Sequence, residues 1–258
     1  MEFSLPEFPT APGAQAAFLA AAFCIVAGLV LLVFPATLGR VLGLEGREDR
    51  PGAIGELRAA GGFLAGFALA TLMFDQPVLF TSLGIAMALA AFGRILSLMS
   101  DQASSILNYL LLLVQLLLAG ALLHYFFDVV SPDMQLGVPE GTAARLVFYV
   151  YAAVAVIGAF AMFGPRLAAM TTGMTGIHDG GYTSVRSAGG FALGLGLSGM
   201  AFVNPMLDVG FAAALTVAAI GRILALVLNR GNYIYATIAL ILNAAFALVV
   251  ISYISGMM

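Results

Sequence analysis

Sliding the chain along itself by about 128 positions lays Arg58-Ala-Ala-Gly-Gly-Phe over Arg186-Ser-Ala-Gly-Gly-Phe. The same shift puts Phe74-Asp-Gln-Pro over Phe202-Val-Asn-Pro and Gly93-Arg-Ile-Leu over Gly221-Arg-Ile-Leu, with no gap between them. About 22 of about 71 aligned positions are identical, and the matches include glycines, prolines and arginines, so shared apolarity is not their cause. The folding unit is therefore a run of four hydrophobic segments, used twice.

Those segments belong in a bilayer. Apolar residues make up 62% of the chain and charged residues 9%, against about a quarter charged in soluble domains. Eight stretches are long enough to cross the hydrocarbon core: Ala16–Phe34, Leu57–Phe74, Val78–Met99, Ser105–Phe127, Arg145–Phe163, Val185–Val203, Met206–Leu228 and Tyr233–Ile254. They must be helices, because a lone strand cannot satisfy its backbone in lipid. The expected fold is an all-α polytopic membrane protein of eight transmembrane helices. It is organised as a first four-helix repeat (1–128), a linker (129–144) and a second repeat (145–258). Asp75-Gln-Pro77 and Asn204-Pro205 are tight turns, while Pro35–Glu56 and Pro165–Ser184 are longer polar links. The first thirteen residues carry no basic residue, unlike a secretory signal or transit peptide.

All ten basic residues are arginines. Along an eight-helix path, every one except Arg145 falls on one face, and the positive-inside rule makes that face cytoplasmic. Both termini and the 129–144 linker are then periplasmic. Because each repeat has an even number of spans, the two copies point the same way, related by an axis along the membrane normal.

Candidate function lies in the repeated polar landmarks. Gly61, Gly62 and Gly66 match Gly189, Gly190 and Gly194, a small-residue surface that lets another backbone approach. Packing within each repeat is its expected use; a homodimer contact or a ligand groove is the alternative. Arg94 and Arg222 sit about two turns before their helices leave the membrane, and Arg58 and Arg186 begin the preceding helices at similar depth. Acids stand near the first pair, Glu56 beside Arg58 and Asp101 beyond Arg94, whereas Ser184 and Asn229 replace them in the second copy. The inner face therefore balances to zero in the first repeat and to +3 in the second. Arg186 and Arg222 are thus expected to be free to hold an anion such as a lipid headgroup, with snorkelling into anionic lipid as the plainer reading. Gln115 and Asn243 share one repeat position near mid-membrane and suit interhelical hydrogen bonds or a polar contact in a cavity between the repeats.

Several functions are disfavoured. One cysteine, Cys24, excludes an internal disulfide. His124 and His178 fall on opposite faces and cannot share a metal or haem. The spans carry almost no acid apart from Glu56 and Asp101, which argues against ion-coupled transport. No catalytic set is visible, so neither enzymatic activity nor a cofactor is expected.

The pattern Arg-x-x-Gly-Gly, a Pro turn, then Gly-Arg-Ile/Leu is similar to that of an uncharacterised bacterial four-helix membrane family, DUF4345. It occurs here as Arg58, Gly61, Gly62, Gly93 and Arg94, then Arg186, Gly189, Gly190, Gly221 and Arg222. An acid often precedes the first arginine of that family; Glu56 fits and Ser184 departs. The resemblance implies a bacterial inner-membrane protein of four-helix units and carries no activity with it. The expected function is binding or moving a lipid or other hydrophobic or anionic small molecule between the repeats, at Arg58, Arg94, Arg186, Arg222, Gln115 and Asn243. The alternative is a non-catalytic structural or accessory subunit of a larger membrane complex. The expected partners are membrane lipids and a larger complex or homo-oligomer, and not nucleic acid.

Overall fold

Helix is the dominant state because an apolar backbone segment can hydrogen-bond to itself only as a helix. The computed structural model describes residues 8–46, 54–101, 103–129, 138–176, 179–228 and 233–257. It contains ten α-helices among them: α1 (Pro12–Val33), α2 (Pro35–Val41), α3 (Ile54–Phe74), α4 (Pro77–Ser100), α5 (Ile106–Val129), α6 (Thr142–Phe163), α7 (Pro165–Thr172), α8 (Thr183–Ala201), α9 (Pro205–Leu228) and α10 (Tyr233–Ile254). Proline at the first helical turn starts α1, α2, α4 and α7, where its missing N–H costs nothing. The turn into α4 puts Asp75 at φ 46°, and at the turn into α9 the side chain of Asn204 accepts a hydrogen bond from the Met206 N–H.

Seven of these helices are long and apolar enough to cross a membrane. The segment at Val185–Val203 is the one that falls outside that set. Its helix, α8, has 19 residues, but serines and glycines fill the positions that leucines hold elsewhere, and most of it is buried against protein. A helix covered by its neighbours has less need of apolar bulk than one facing lipid.

The expected loops at Pro35–Glu56 and Pro165–Ser184 hold more structure than their polarity suggested. Each folds into a short helix and a strand, α2 with β1 (Leu44–Gly46) and α7 with β2 (Met174–Gly176). Gly43 and Gly173 turn the chain between them, both at φ 78°, where a side chain would be strained. The two strands pair antiparallel, Glu45 opposite Thr175, and so join the two halves on the arginine-rich side.

The large helices form a closed circuit of neighbours: α1–α3–α9–α10–α6–α8–α4–α5 and back to α1. Within each half the contacts match, α1 on α3 as α6 on α8, and α4 on α5 as α9 on α10. The halves meet through α3 on α9 and α4 on α8. Small residues set these crossings. A Cβ at Gly62 would lie 2.5 Å from the Val217 carbonyl oxygen, and at Gly66 2.6 Å from that of Ala213. On the other crossing Gly190 abuts the Leu89 carbonyl, and a Cβ at Gly194 would lie 2.6 Å from the Ala86 Cα. Only Gly61 and Gly189 do what was expected of the whole stripe: they pack inside their own halves, against Gly28 and Gly158. One helix thus shows a glycine to each of two neighbours, since consecutive positions point about 100° apart. The Phe63–Phe191 and Phe67–Phe211 ring pairs, edge to face at 6.3 and 5.9 Å, fill the centre. Leucines and isoleucines of α5 and α10 cover the outside.

Candidate functional site

Each crossing between the halves carries two arginines and one acid. At the α4–α8 crossing, Arg186 grips Asp101 with two hydrogen bonds, Nε to Oδ2 at 2.7 Å and Nη2 to Oδ1 at 3.2 Å. Its Nη1 donates to the Met162 carbonyl at 2.9 Å, one of the acceptors that the last turn of α6 cannot satisfy within the helix. At the α3–α9 crossing, Arg222 donates to Glu56 at 2.6 Å, and Arg58 donates to the Leu32 carbonyl near the end of α1 at 2.7 Å. Both ion pairs are mostly shielded from solvent, with 11–19% of each side chain exposed. Such pairs bridge long stretches of chain: Asp101 and Arg186 are 85 residues apart, Glu56 and Arg222 are 166.

The carboxyl of Asp101 is pulled two ways. Burial raises its pKa, but hydrogen bonds from Arg186 and Ser97 and the charge of Arg186 win and hold it below the ordinary value. Ser97 links this pair onward, donating to Asp101 at 2.9 Å and sharing a 2.8 Å hydrogen bond with Thr183.

Arg94 is only 4% exposed and lies beside that network. Two neutral amides hold it: Nε donates to Gln115 Oε1 and Nη1 to Asn108 Oδ1, both at 3.0 Å. Gln115 then donates to Ser187 on α8 at 2.6 Å, and Asn108 to the Ala103 carbonyl at 2.8 Å. At the α3–α9 crossing the positions 128 residues away from Ser97, Thr183, Ser187 and Asn108 are Ala225, Gly55, Ala59 and Ala236. A Cβ on Gly55 would meet the Ala225 methyl at 2.9 Å, in the place where Ser97 and Thr183 share their hydrogen bond. One crossing is therefore a polar network and the other an ion pair set among small apolar residues.

Five of the six expected site residues, Arg58, Arg94, Arg186, Arg222 and Gln115, gather at these crossings. Asn243 does not join them; it donates to the Leu215 carbonyl between α10 and α9 at 3.0 Å. The expected division of acids is corrected. Glu56 pairs with Arg222 and Asp101 with Arg186, so neither serves the arginine of its own half, and Arg186 and Arg222 are not free for an anion. Helix geometry is the reason: positions two apart, like Glu56 and Arg58, point to different sides, and Asp101 stands about 10 Å along the axis from Arg94. The lopsided balance of the sequence becomes one surplus cation at each crossing.

Sequence reading missed Ser97, Thr183, Ser187 and Asn108, which carry no signal beyond being polar in apolar runs. It also missed Asp208, in the first turn of α9, whose carboxylate accepts a hydrogen bond from Tyr151 on α6. His124 is exposed near the C-terminal end of α5, while His178 lies outside the described residues.

Residues 15–126 match the family model of DUF4345, a domain of unknown function. That span covers the helices from α1 to α5 and bears out the resemblance of the motif in the first half. Neither a curated protein nor a solved structure matches the chain.

Proposed function

We propose that this chain, whose first half is matched by DUF4345, is a non-catalytic structural or accessory protein of the bacterial inner membrane. In this reading it is a tandem duplication that spans eight times, with α8 as the eighth span. Its two four-helix units point the same way, the arginine-rich face lies in the cytoplasm and both termini lie outside. The matching helix contacts of the two halves support the duplication, and the distribution of arginines supports the orientation.

One observation carries the functional reading: each of the four candidate arginines hydrogen-bonds to the protein itself. Arg186 and Arg222 are neutralised by carboxylates, Arg94 is held by Gln115 and Asn108, and Arg58 caps α1. Glycine contacts bring the backbones of the two halves together along both seams. Such a molecule is suited to present surfaces to other membrane proteins.

A second reading, binding of an anionic lipid headgroup, is favoured by Arg58. It is partly exposed, hydrogen-bonds to carbonyl groups and has no acid on it among the described residues. Mass measurement of the intact assembly from native membrane discs separates the two. A stoichiometric second polypeptide supports the accessory role. The chain alone, or as a homo-oligomer, holding a defined anionic lipid that Arg58→Ala releases, replaces it with the lipid reading.

A further inference from the structure

The two parts of the repeated motif touch each other, but only across the halves. A Cβ at Gly93, the glycine of the first Gly-Arg, would lie 2.6 Å from the carbonyl oxygen of Arg186, which opens the second Arg-x-x-Gly-Gly. A Cβ at Gly221, the glycine of the second Gly-Arg, would lie 2.8 Å from the carbonyl oxygen of Arg58, which opens the first. Gly62 and Gly190, the second glycines of the two Gly-Gly pairs, likewise meet backbone of the opposite half. A four-helix unit on its own therefore holds both parts of the motif and can join neither.

We infer that Arg-x-x-Gly-Gly and Gly-Arg are complementary halves of a docking code between four-helix units, and that this chain is such a dimer made continuous. The inference rests on the duplication proposed above. The charges make the code selective. Each crossing brings together one arginine from each unit, and the acid that offsets them can come from either partner: from the residue two before the first arginine, as Glu56 does, or from the residue seven after the second, as Asp101 does. The first unit keeps both acids; the second has Ser184 and Asn229 at those positions. Pairing first with second gives each crossing one acid. Two second units would place two arginines and no acid at each crossing, which burial makes unfavourable. The partner that fits the second unit is thus a unit of the first kind, and a first unit also fits another copy of itself.

The two-fold relation makes a demand that an ordinary ion pair would not: the acid should be movable between halves. In the full chain, Asp101→Asn is expected to lower the apparent melting temperature by about 10 °C. Adding Ser184→Glu, which supplies the acid from α8 to Arg94 as Glu56 supplies it from α3 to Arg222, should recover most of that loss. Adding Ser184→Gln, which places a similar shape there without the charge, should recover none. A protease site inserted within 130–137 gives a second readout. After cleavage, the halves of the wild type and of the Asp101→Asn/Ser184→Glu variant should co-purify in mild detergent, and those of Asp101→Asn should separate more readily. The code is overturned if Ser184→Glu rescues no better than Ser184→Gln. Separation of the cleaved wild-type halves would overturn the docking itself while leaving the accessory role untouched.

Discussion

Arg186 and Arg94 sit at the same crossing with opposite chemistry around them. Arg186 has a carboxylate partner, so Arg186→Met strands a shielded Asp101 without its cation, at a cost of about 3–5 kcal/mol. Arg94 is the more deeply buried, yet Arg94→Met offsets the loss of its two amide hydrogen bonds, about 1–3 kcal/mol each, by removing an uncompensated charge whose burial itself costs about as much. Denaturation in detergent should therefore rank Arg186→Met as the more damaging, and the reverse order would mean that burial alone sets the cost. The acid side of the pair adds a pH dependence. Because the folded carboxyl of Asp101 titrates below its ordinary value, its stabilisation is complete above the unfolded value of about 3.9 and is lost as pH falls through the lower folded value. Stability of the wild type should drop in that acid window, and Asp101→Asn should flatten the drop. The arginines were legible as candidates because a cation in an apolar run is conspicuous. Their partners were not, because Glu56 and Asp101 each lie nearer in sequence to the wrong arginine.

At the scale of elements, glycine placement decides which helix meets which. Gly62→Ala and Gly190→Ala put a methyl into opposing backbone and should each cost about 1–3 kcal/mol, since neither neighbour can swing aside. Gly120 in α5 is the internal control. A Cβ there meets nothing within 4 Å, so Gly120→Ala should be neutral or gain up to about 1 kcal/mol in helix propensity. Equal losses at all three positions, read from thermal melts, would show that propensity rather than close approach governs these helices. Helix positions were readable to within a few residues from hydropathy. The strands β1 and β2 were not, because three residues pairing with a segment far along the chain leave no periodic trace.

For the molecule as a whole, orientation is the testable property. In a Cys24→Ala background, a cysteine at Val138 should react with an impermeant thiol reagent applied to intact cells. A cysteine at Glu45 should react only after the membrane is opened, since β1 lies on the arginine-rich side; labelling with the opposite pattern would invert the topology. Both positions are exposed, so failure to label would come from sidedness and not from burial.

What the amino-acid order settled alone is the local part: apolar runs that must be helices, the recurrence of one motif, and the side that collects arginine. Each depends on residues within a turn or two of one another, or on direct comparison of the chain with itself. What tertiary structure decided is partnership. Helices α3 and α4 follow one another in the chain, yet each makes its main glycine-lined contact with a helix of the other half, and the acids follow that crossing. Backbone approach and charge pairing depend on distance in space, and a bundle of near-equivalent helices offers several arrangements with the same hydropathy. The circuit of neighbours selects one of them, and with it the partner of every arginine.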